Sequence, residues 1–528
     1  MPGSFFGFNV AVSGLFTAQR NLDVVNHNLS NATTPGYSRQ RAVQSVKRPL
    51  PLYGTGMLGT GSSVIAVNRI RDQYLDTKYW SESIASGEWN TKTTMLSEME
   101  RTFNEPSDSG FTTIMNDFYN SLQELSKDPG SGAARALVRQ RGITVANYFN
   151  NIADHFEKLQ SDVNDDIKNK VDEVNSLATR IQQLNKQIYS AELDGDRAND
   201  LRDSRGVLVD QLSKIINIQA NEVIVGKLPN GGEDKHFIIT INGKALVDHN
   251  HSSLLTVTQR TGKLNDVDAS GLYEVGWADG NILDVRGGEL KGYLDIRDGN
   301  NGQLPSATSG YSGPLTQSPI YNGIPFYQEQ LNMFVQNFAK EFNVGNGTLK
   351  GHENGHGLYD TVNNKDRTGL DFFTMLDSNG KPLDTATFAG GYANITAKNF
   401  AVSADIMNNV DNIAVSDQPQ EQENTNVLKD LIQQRQDKNM FTAGTPEDFF
   451  KSLVAGVGVD SQASVRMSDN QNNIVKYLDT QRLSDSGVSI DEEMANLVKF
   501  QQAYNASAKM ITTMADVYDT LINRVGVV

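Results

Sequence analysis

Apolar residues near the start of the chain fall at Phe8, Ala11, Leu15, Ala18, Leu22, Val25 and Leu29, alternately three and four positions apart. That spacing is the narrow seam of a coiled-coil helix. Such a helix spans about 35–40 Å at 1.5 Å per residue. The turn Asn31, Thr33, Thr34, Pro35, Gly36 and Tyr37 then stops it, since proline disfavours helix before it and glycine supplies turn geometry. The other end repeats the pattern at Met494, Leu497, Gln501, Tyr504, Ala508, Ile511, Ala515, Tyr518, Ile522 and Val525. Ser489-Ile-Asp-Glu492 fits a capping box that opens this helix, and Arg524 and Gly526 fit its closing turn. One amphipathic helix would pack on the protein's own body. Two at opposite ends, each with a narrow seam, predict pairing with each other. Their outer faces carry Phe5, Phe6, Val10, Val12 and Phe16 on one helix and Phe500, Met510, Met514 and Leu521 on the other. Apolar surface left uncovered by the pair implies a partner.

Between the ends the period changes. Stripes at Phe111, Ile114, Phe118, Leu122 and Leu125, then at Ile152, Phe156, Leu159, Val163, Ile167, Val171, Val174, Ile181, Leu184 and Ile188, predict long helices. A shorter helix carries Leu201, Leu208, Leu212 and Ile215. Strand-like runs follow at 222–225, 236–241, 244–247, 254–258 and 273–277, with Asn242-Gly243 as a hairpin signal. Helix returns at Phe326–Phe342 and again from Thr445-Pro446-Glu447-Asp448 toward Leu483, although Gly456 and Gly458 interrupt it. The glycine-rich Gly54-Thr-Gly56 to Gly59-Thr-Gly61 reads as a flexible connector. The expected fold is multidomain α+β: terminal coiled-coil helices, an elongated helical bundle and an inserted β-rich part. Residues 1–60 and 485–528 form the paired terminal unit. Residues 61–218, 326–344 and 400–484 form the bundle, 219–325 the β-rich domain, and 345–399 resolve into no definite elements.

Composition narrows the function. The 528 residues are 38% hydrophobic and 21% charged, a globular balance with room for more than one core. A net charge of −16 argues against nucleic-acid binding, which needs a basic face. The absence of cysteine excludes disulfides, thiolate metal sites and cysteine nucleophiles. No run reaches the ~18 apolar residues of a membrane span, so no membrane insertion is expected. The first 19 residues are uncharged, but Asn9, Ser13, Thr17 and Gln19 break the apolar run and no basic leader precedes it, so no conventional signal is read. Asn28-Leu-Ser and Asn31-Ala-Thr match glycosylation sequons by pattern alone.

One constellation carries chemistry. His352-Glu353-Asn354-Gly355-His356 matches H-E-x-x-H, which on a helix would hold zinc with Glu353 activating water, as in a secreted metalloprotease. Glycines at 345, 347, 351, 355 and 357 oppose that helix at about 1 kcal/mol each. The segment is therefore expected to be a solvated turn, with no metal, cofactor or catalytic residue. His249 and His251 alternate in a turn and read as a chance occurrence, and no nucleophile elbow or phosphate loop is present.

The stretch from Leu22 through Asn28-Leu-Ser-Asn-Ala-Thr-Thr-Pro-Gly-Tyr-Ser-Arg-Gln40 resembles the N-terminal signature of the axial proteins of the bacterial flagellum. Its Thr-Pro-Gly-Tyr-Ser-Arg-Gln ending is similar to the hook-associated proteins that join hook to filament. Val67-Asn-Arg-Ile-Arg-Asp72, Phe103-Asn-Glu-Pro-Ser-Asp-Ser-Gly110, Gly287 to Asp298, Gly369-Leu-Asp-Phe-Phe373 and Asp491 to Ile511 resemble the same family. Filament subunits lack the Thr-Pro-Gly-Tyr turn, and hook subunits lack the Phe103–Gly110 motif. The resemblance implies a non-catalytic subunit of a ring, with the terminal helices as inner tube. It implies contacts with the hook protein and with the next junction protein. It also implies delivery through the flagellar type III export apparatus and a chaperone on the C-terminal helix before export.

Overall fold

The computed structural model describes residues 5–524 apart from 53, 55, 104–109, 194, 230, 307–309, 312–317 and 422. Val525, Gly526 and most of the Phe103–Gly110 motif lie outside the described residues.

The chain opens with α1 (Phe6–Ser30), then β1 (Gln40–Val46), β2 (Leu50–Leu52), β3 (Gly56–Leu58) and β4 (Ser62–Arg69). Helices α2 (Gln73–Phe103), α3 (Phe111–Lys127), α4 (Gly132–Leu193) and α5 (Asn199–Ile215) follow. Next come β5 (Gln219–Lys227), β6 (Glu233–Ile241), β7 (Lys244–Asp248), β8 (His251–Ser252), β9 (Leu255–Gln259) and β10 (Tyr273–Trp277). The chain returns through α6 (Glu289–Asp298), α7 (Ile324–Val344), β11 (Phe373–Met375), α8 (Thr385–Phe388), β12 (Phe400–Val402), α9 (Ala404–Asn408) and α10 (Asn426–Gln434). It ends in α11 (Pro446–Ser486) and α12 (Ile490–Asp519).

Helix α4 organises the body. Its 62 residues span about 93 Å at 1.5 Å per residue. The first half joins a phenylalanine-rich core with α3, α7 and the start of α11, where Phe111 stacks on Phe450 at 4.1 Å and Phe149 on Phe334 at 5.0 Å. The second half carries Val163, Ile167, Val171, Val174 and Ile181 into another core with α5, α6 and the sheet. That sheet runs β5-β6-β7-β8, all antiparallel neighbours, with β9-β10 as a separate ribbon. Asn242 and Gly243 turn β6 into β7 with φ of 48° and 85°, as the hairpin signal predicts.

Two regions depart from the expectation. Residues 345–399 fold onto the phenylalanine-rich core, burying Phe372, Phe373, Phe388 and Ile395. The buried carboxamide of Asn343 fastens them, accepting from the Phe372 and Phe373 amides at 2.9 and 3.1 Å and donating to the Phe373 carbonyl at 2.6 Å. The segment between α1 and α2 is no mere connector. It forms two antiparallel ribbons, β1-β4 and β2-β3. Helix α11 runs unbroken through Gly456 and Gly458, opened by a complete capping box between Thr445 and Asp448. It lies against α2 through small polar residues: Ser86 bonds Asn472 at 2.7 Å and Thr93 bonds Ser464 at 3.2 Å.

Candidate functional site

The two terminal helices pair antiparallel. Gly7 of α1 lies against Met514 of α12, and Gly14 against Ser507. Both steps are seven residues, one heptad of a coiled-coil seam. Tyr518 closes the far end against Phe5 and Phe8, with ring centroids 4.8 and 6.5 Å apart. Ala18 and Val25 are buried, and Phe8, Ala11, Leu15, Leu22 and Leu29 are half-buried.

On α12 the half-buried residues include Leu497, Phe500, Tyr504, Ala508, Ile511, Met514 and Tyr518. Phe500 and Met514, which periodicity assigned to the outer face, therefore turn inward. Met494 and Ile522, assigned to the seam, are 49% and 65% exposed, and Ala515 is exposed too. Gly7 leaves room for the Met514 side chain, whose Cε would lie 3.0 Å from a Cβ at that position. Phe5, Phe16, Met510 and Leu521 remain exposed as expected.

Helix α1 has a second buried face that periodicity did not reveal. Ser13, Thr17, Asn21 and Asn28 are buried. Ser13 accepts from the Ser62 amide at 3.3 Å, and the hydroxyls of Ser62 and Thr17 meet at 3.2 Å. Asn28 is the centre of the terminating turn. Its Oδ1 accepts from the Gln40 amide at 2.9 Å and the Tyr37 hydroxyl at 2.7 Å, while Nδ2 donates to the Gln40 carbonyl at 2.9 Å. The side chain thus stands where a third strand would pair with β1. Asn31 caps α1 and donates to the His27 carbonyl at 3.0 Å, and the Thr34 amide bonds the Asn31 carbonyl at 2.9 Å. Pro35 is exposed, and Gly36 turns the chain at φ 77°. Burial and the carboxylates of Asp200, Asp203 and Glu493 push the Tyr37 phenol well above its usual range.

A charged joint ties this pair to the body. Buried Asp203 accepts from the Ser38 amide and hydroxyl, each at 2.8 Å, and from Arg69 at 2.8 Å. Arg39 bonds Glu492 and Glu493, each at 2.7 Å. Asp76 pairs with Arg71 at 2.8 Å and Arg482 at 3.1 Å, and Arg482 continues to Asp210 at 2.9 Å. Sequence reasoning placed Ser38, Arg39, Arg69, Arg71, Glu492 and Glu493 in its motifs but missed their pairing, and missed Asp76, Asp203, Asp210 and Arg482 altogether. Their partners lie up to 454 positions away, and no local pattern announces such pairs.

The histidine motif is structural rather than solvated. His352 begins a single tight turn, His352–Asn354, and is buried. Its Nδ1 bonds the Leu370 carbonyl at 2.6 Å and its Nε2 accepts from the Ala414 amide at 2.9 Å. Both ring nitrogens are committed, and burial pulls the imidazole down to about 4. His356 Nδ1 sits 2.6 Å from Asp366, away from any shared helical face. Glu353 and Asp371 share the Tyr392 hydroxyl at 3.0 and 2.7 Å, and burial with Glu353 beside it pushes Asp371 up to about 8. The zincin arrangement is not formed. Among the described residues no helix is long and apolar enough to cross a membrane.

The terminal elements match two known families. Residues 8–37 match the flagella basal body rod protein family, and 480–524 match the flagellar basal body rod FlgEFG protein C-terminal family. Fold and matches together define a structural, axial component of the bacterial flagellum. Residues 96–373 match the flagellar hook-associated protein FlgK helical domain. Flagellar hook-associated protein 1 of Bacillus subtilis is 30% identical over 100% of this chain and 99% of its own length. The proteins of that name from Escherichia coli and Salmonella typhimurium are each 25% identical over 98% of this chain and 99% of theirs. A solved structure of the flagellar hook junction protein FlgK from Burkholderia pseudomallei shares the fold with a TM-score of 0.54 at 14% identity, covering 78% of this chain and 100% of that one. The chain belongs to the flagellar hook-associated protein 1 (FlgK) family.

Proposed function

We propose that this protein forms a ring at the junction of hook and filament, from which the filament grows. The observation that carries the reading is the uncovered apolar surface of the terminal pair. Phe5 and Phe16 on α1, and Val498, Met510, Val517 and Leu521 on α12, are exposed although the two helices already cover one another. Neighbouring copies in a ring, the hook protein on one side and the next junction protein on the other would cover that surface. The family supports this position, and the long α4 body would form the shell around the inner tube.

Export belongs to the same reading. A chain without cysteine threads unfolded through a narrow channel with no disulfide to undo. We assign its passage to the flagellar type III apparatus and its working place to the outside of the cell. Before assembly, α12 exposes apolar residues along most of its length, which suits a chaperone holding it in the cytoplasm.

The test is a strain lacking the gene, viewed by electron microscopy with a flagellin blot of the medium. Hooks without filaments, and flagellin lost to the medium, are expected. Missing hooks would move the protein below the junction, and normal filaments would overturn the reading.

A further inference from the structure

The ribbons between α1 and α2 are electrically unlike the rest of the chain. From Val24 to Arg71 there is no aspartate or glutamate, whereas Arg39, Arg41, Lys47, Arg48, Arg69 and Arg71 are present in a protein of net charge −16. Arg39, Arg69 and Arg71 are consumed by the joint. Arg41, Lys47 and Arg48 are exposed and have no ion pair among the described residues. Beside them Val46, Met57 and Ile65 are 82%, 70% and 65% exposed. Two-stranded ribbons are marginal on their own. A ribbon that displays aliphatic side chains between unpaired cations is half of an interface.

A complementary half lies on the same chain. Where α11 passes into α12, Leu483, Ile490 and Met494 are exposed, and Asp479, Asp485 and Asp491 lie among them, exposed and without an ion pair among the described residues. Arg39, at the root of the ribbon, touches Glu492 and Glu493, whereas Lys47 bonds the Gly61 carbonyl beside Ser13 further along α1, so the tip of the ribbon stands clear of its own corner. In a ring, the contact between neighbouring copies joins two different patches. We propose that the basic ribbon of each copy docks on the acidic corner at the α11–α12 junction of the next copy. The apolar residues would form the centre, and opposite charges would form the rim, setting orientation and excluding the reverse pairing. This rests on the ring reading above and names the surfaces that build it.

The chain's lack of cysteine permits a clean test. Met57→Cys, labelled on its single thiol with a photo-crosslinker, is examined in flagella taken from cells that make only this variant. The expected product contains two copies of the 58.0 kDa chain, joined within the 477–494 segment. A second strain carries Lys47→Glu and Arg48→Glu. It should lose filament-bearing cells about tenfold while the variant chain is still exported and folds when purified, and Asp479→Lys with Asp485→Lys should restore them. Crosslinks to a different axial protein, or normal filament numbers in the charge-reversed strain, overturn the ribbon inference. Immunogold labelling separates the two failures. A chain present at the junction with crosslinks elsewhere sinks only the ribbon contact, and a chain absent from the junction sinks the ring.

Discussion

Replacing Asn28 by alanine tests whether the signature turn is held by one side chain. Asn28 is 1% exposed and makes three hydrogen bonds, two to the backbone of Gln40 and one from Tyr37. Alanine removes all three and leaves the Gln40 amide and carbonyl facing a gap. An unsatisfied buried backbone group costs about 1–3 kcal/mol. Gln40 is only half-buried, so some of that cost is met by water. A net penalty of about 3 kcal/mol for docking β1 on α1 follows, close to two powers of ten in that local equilibrium. Hydrogen exchange of the 38–46 amides reads it directly, because local opening sets their protection. Exchange there should rise about a hundredfold, with amides of α4 unchanged. Asn28→Asp keeps the acceptor and loses the donor, so it should fall between the two. A change of less than about threefold in Asn28→Ala would mean that the ribbon is held by its own ladder and the hub idea is wrong.

Other substitutions probe separate parts of the molecule. Gly36→Ala places a Cβ 2.1 Å from Val207 at a φ of 77°, so the turn should lose about 1–2 kcal/mol, seen as faster tryptic cleavage at Arg39 and Arg41. Val207→Ala should recover only the steric share. Leu22→Asp or Ala508→Asp, each in the half-buried seam, should leave the body folded by circular dichroism yet abolish filaments; filaments of normal length would refute the seam. His352 is held neutral at about 4, below its unfolded value, so it contributes fully above pH ~6.5 and that contribution is lost as pH falls toward 4. The loss is about 3 kcal/mol at ~1.4 kcal/mol per pH unit. Urea unfolding at pH 7 and pH 4.5 should show a smaller drop for His352→Gln than for the parent chain.

The long helices were legible because their apolar residues repeat for many turns, as on α4 from Ile152 to Ile188. The terminal pair was legible for the same reason, but not its rotation. Leu497, Tyr504, Ile511 and Tyr518 satisfy both possible seams on α12, and the contact of Met514 with Gly7 of α1, which no pattern on α12 itself announces, marks the one that forms. The ribbons were hidden by glycines 54, 56, 59 and 61, which mask the apolar run Val64-Ile65-Ala66-Val67, β-branched at all but Ala66. Residues 345–399 were opaque because their elements are three or four residues long, and burial comes from a distant helix rather than from local period. The H-E-x-x-H match shows the converse. The histidines are there, yet His352 spends both nitrogens on backbone groups from two other segments.

The antiparallel pairing of α1 with α12 also has a genetic consequence. Each terminal helix is the other's main cover, although α1 and α12 are the first and last helices described along the chain. A premature stop that removes only α12 therefore strips α1 as well, exposing Leu15, Ala18 and Leu22 together. A nonsense allele just before Ile490 should behave as a double deletion, and suppressors of changes in one helix should map to the other.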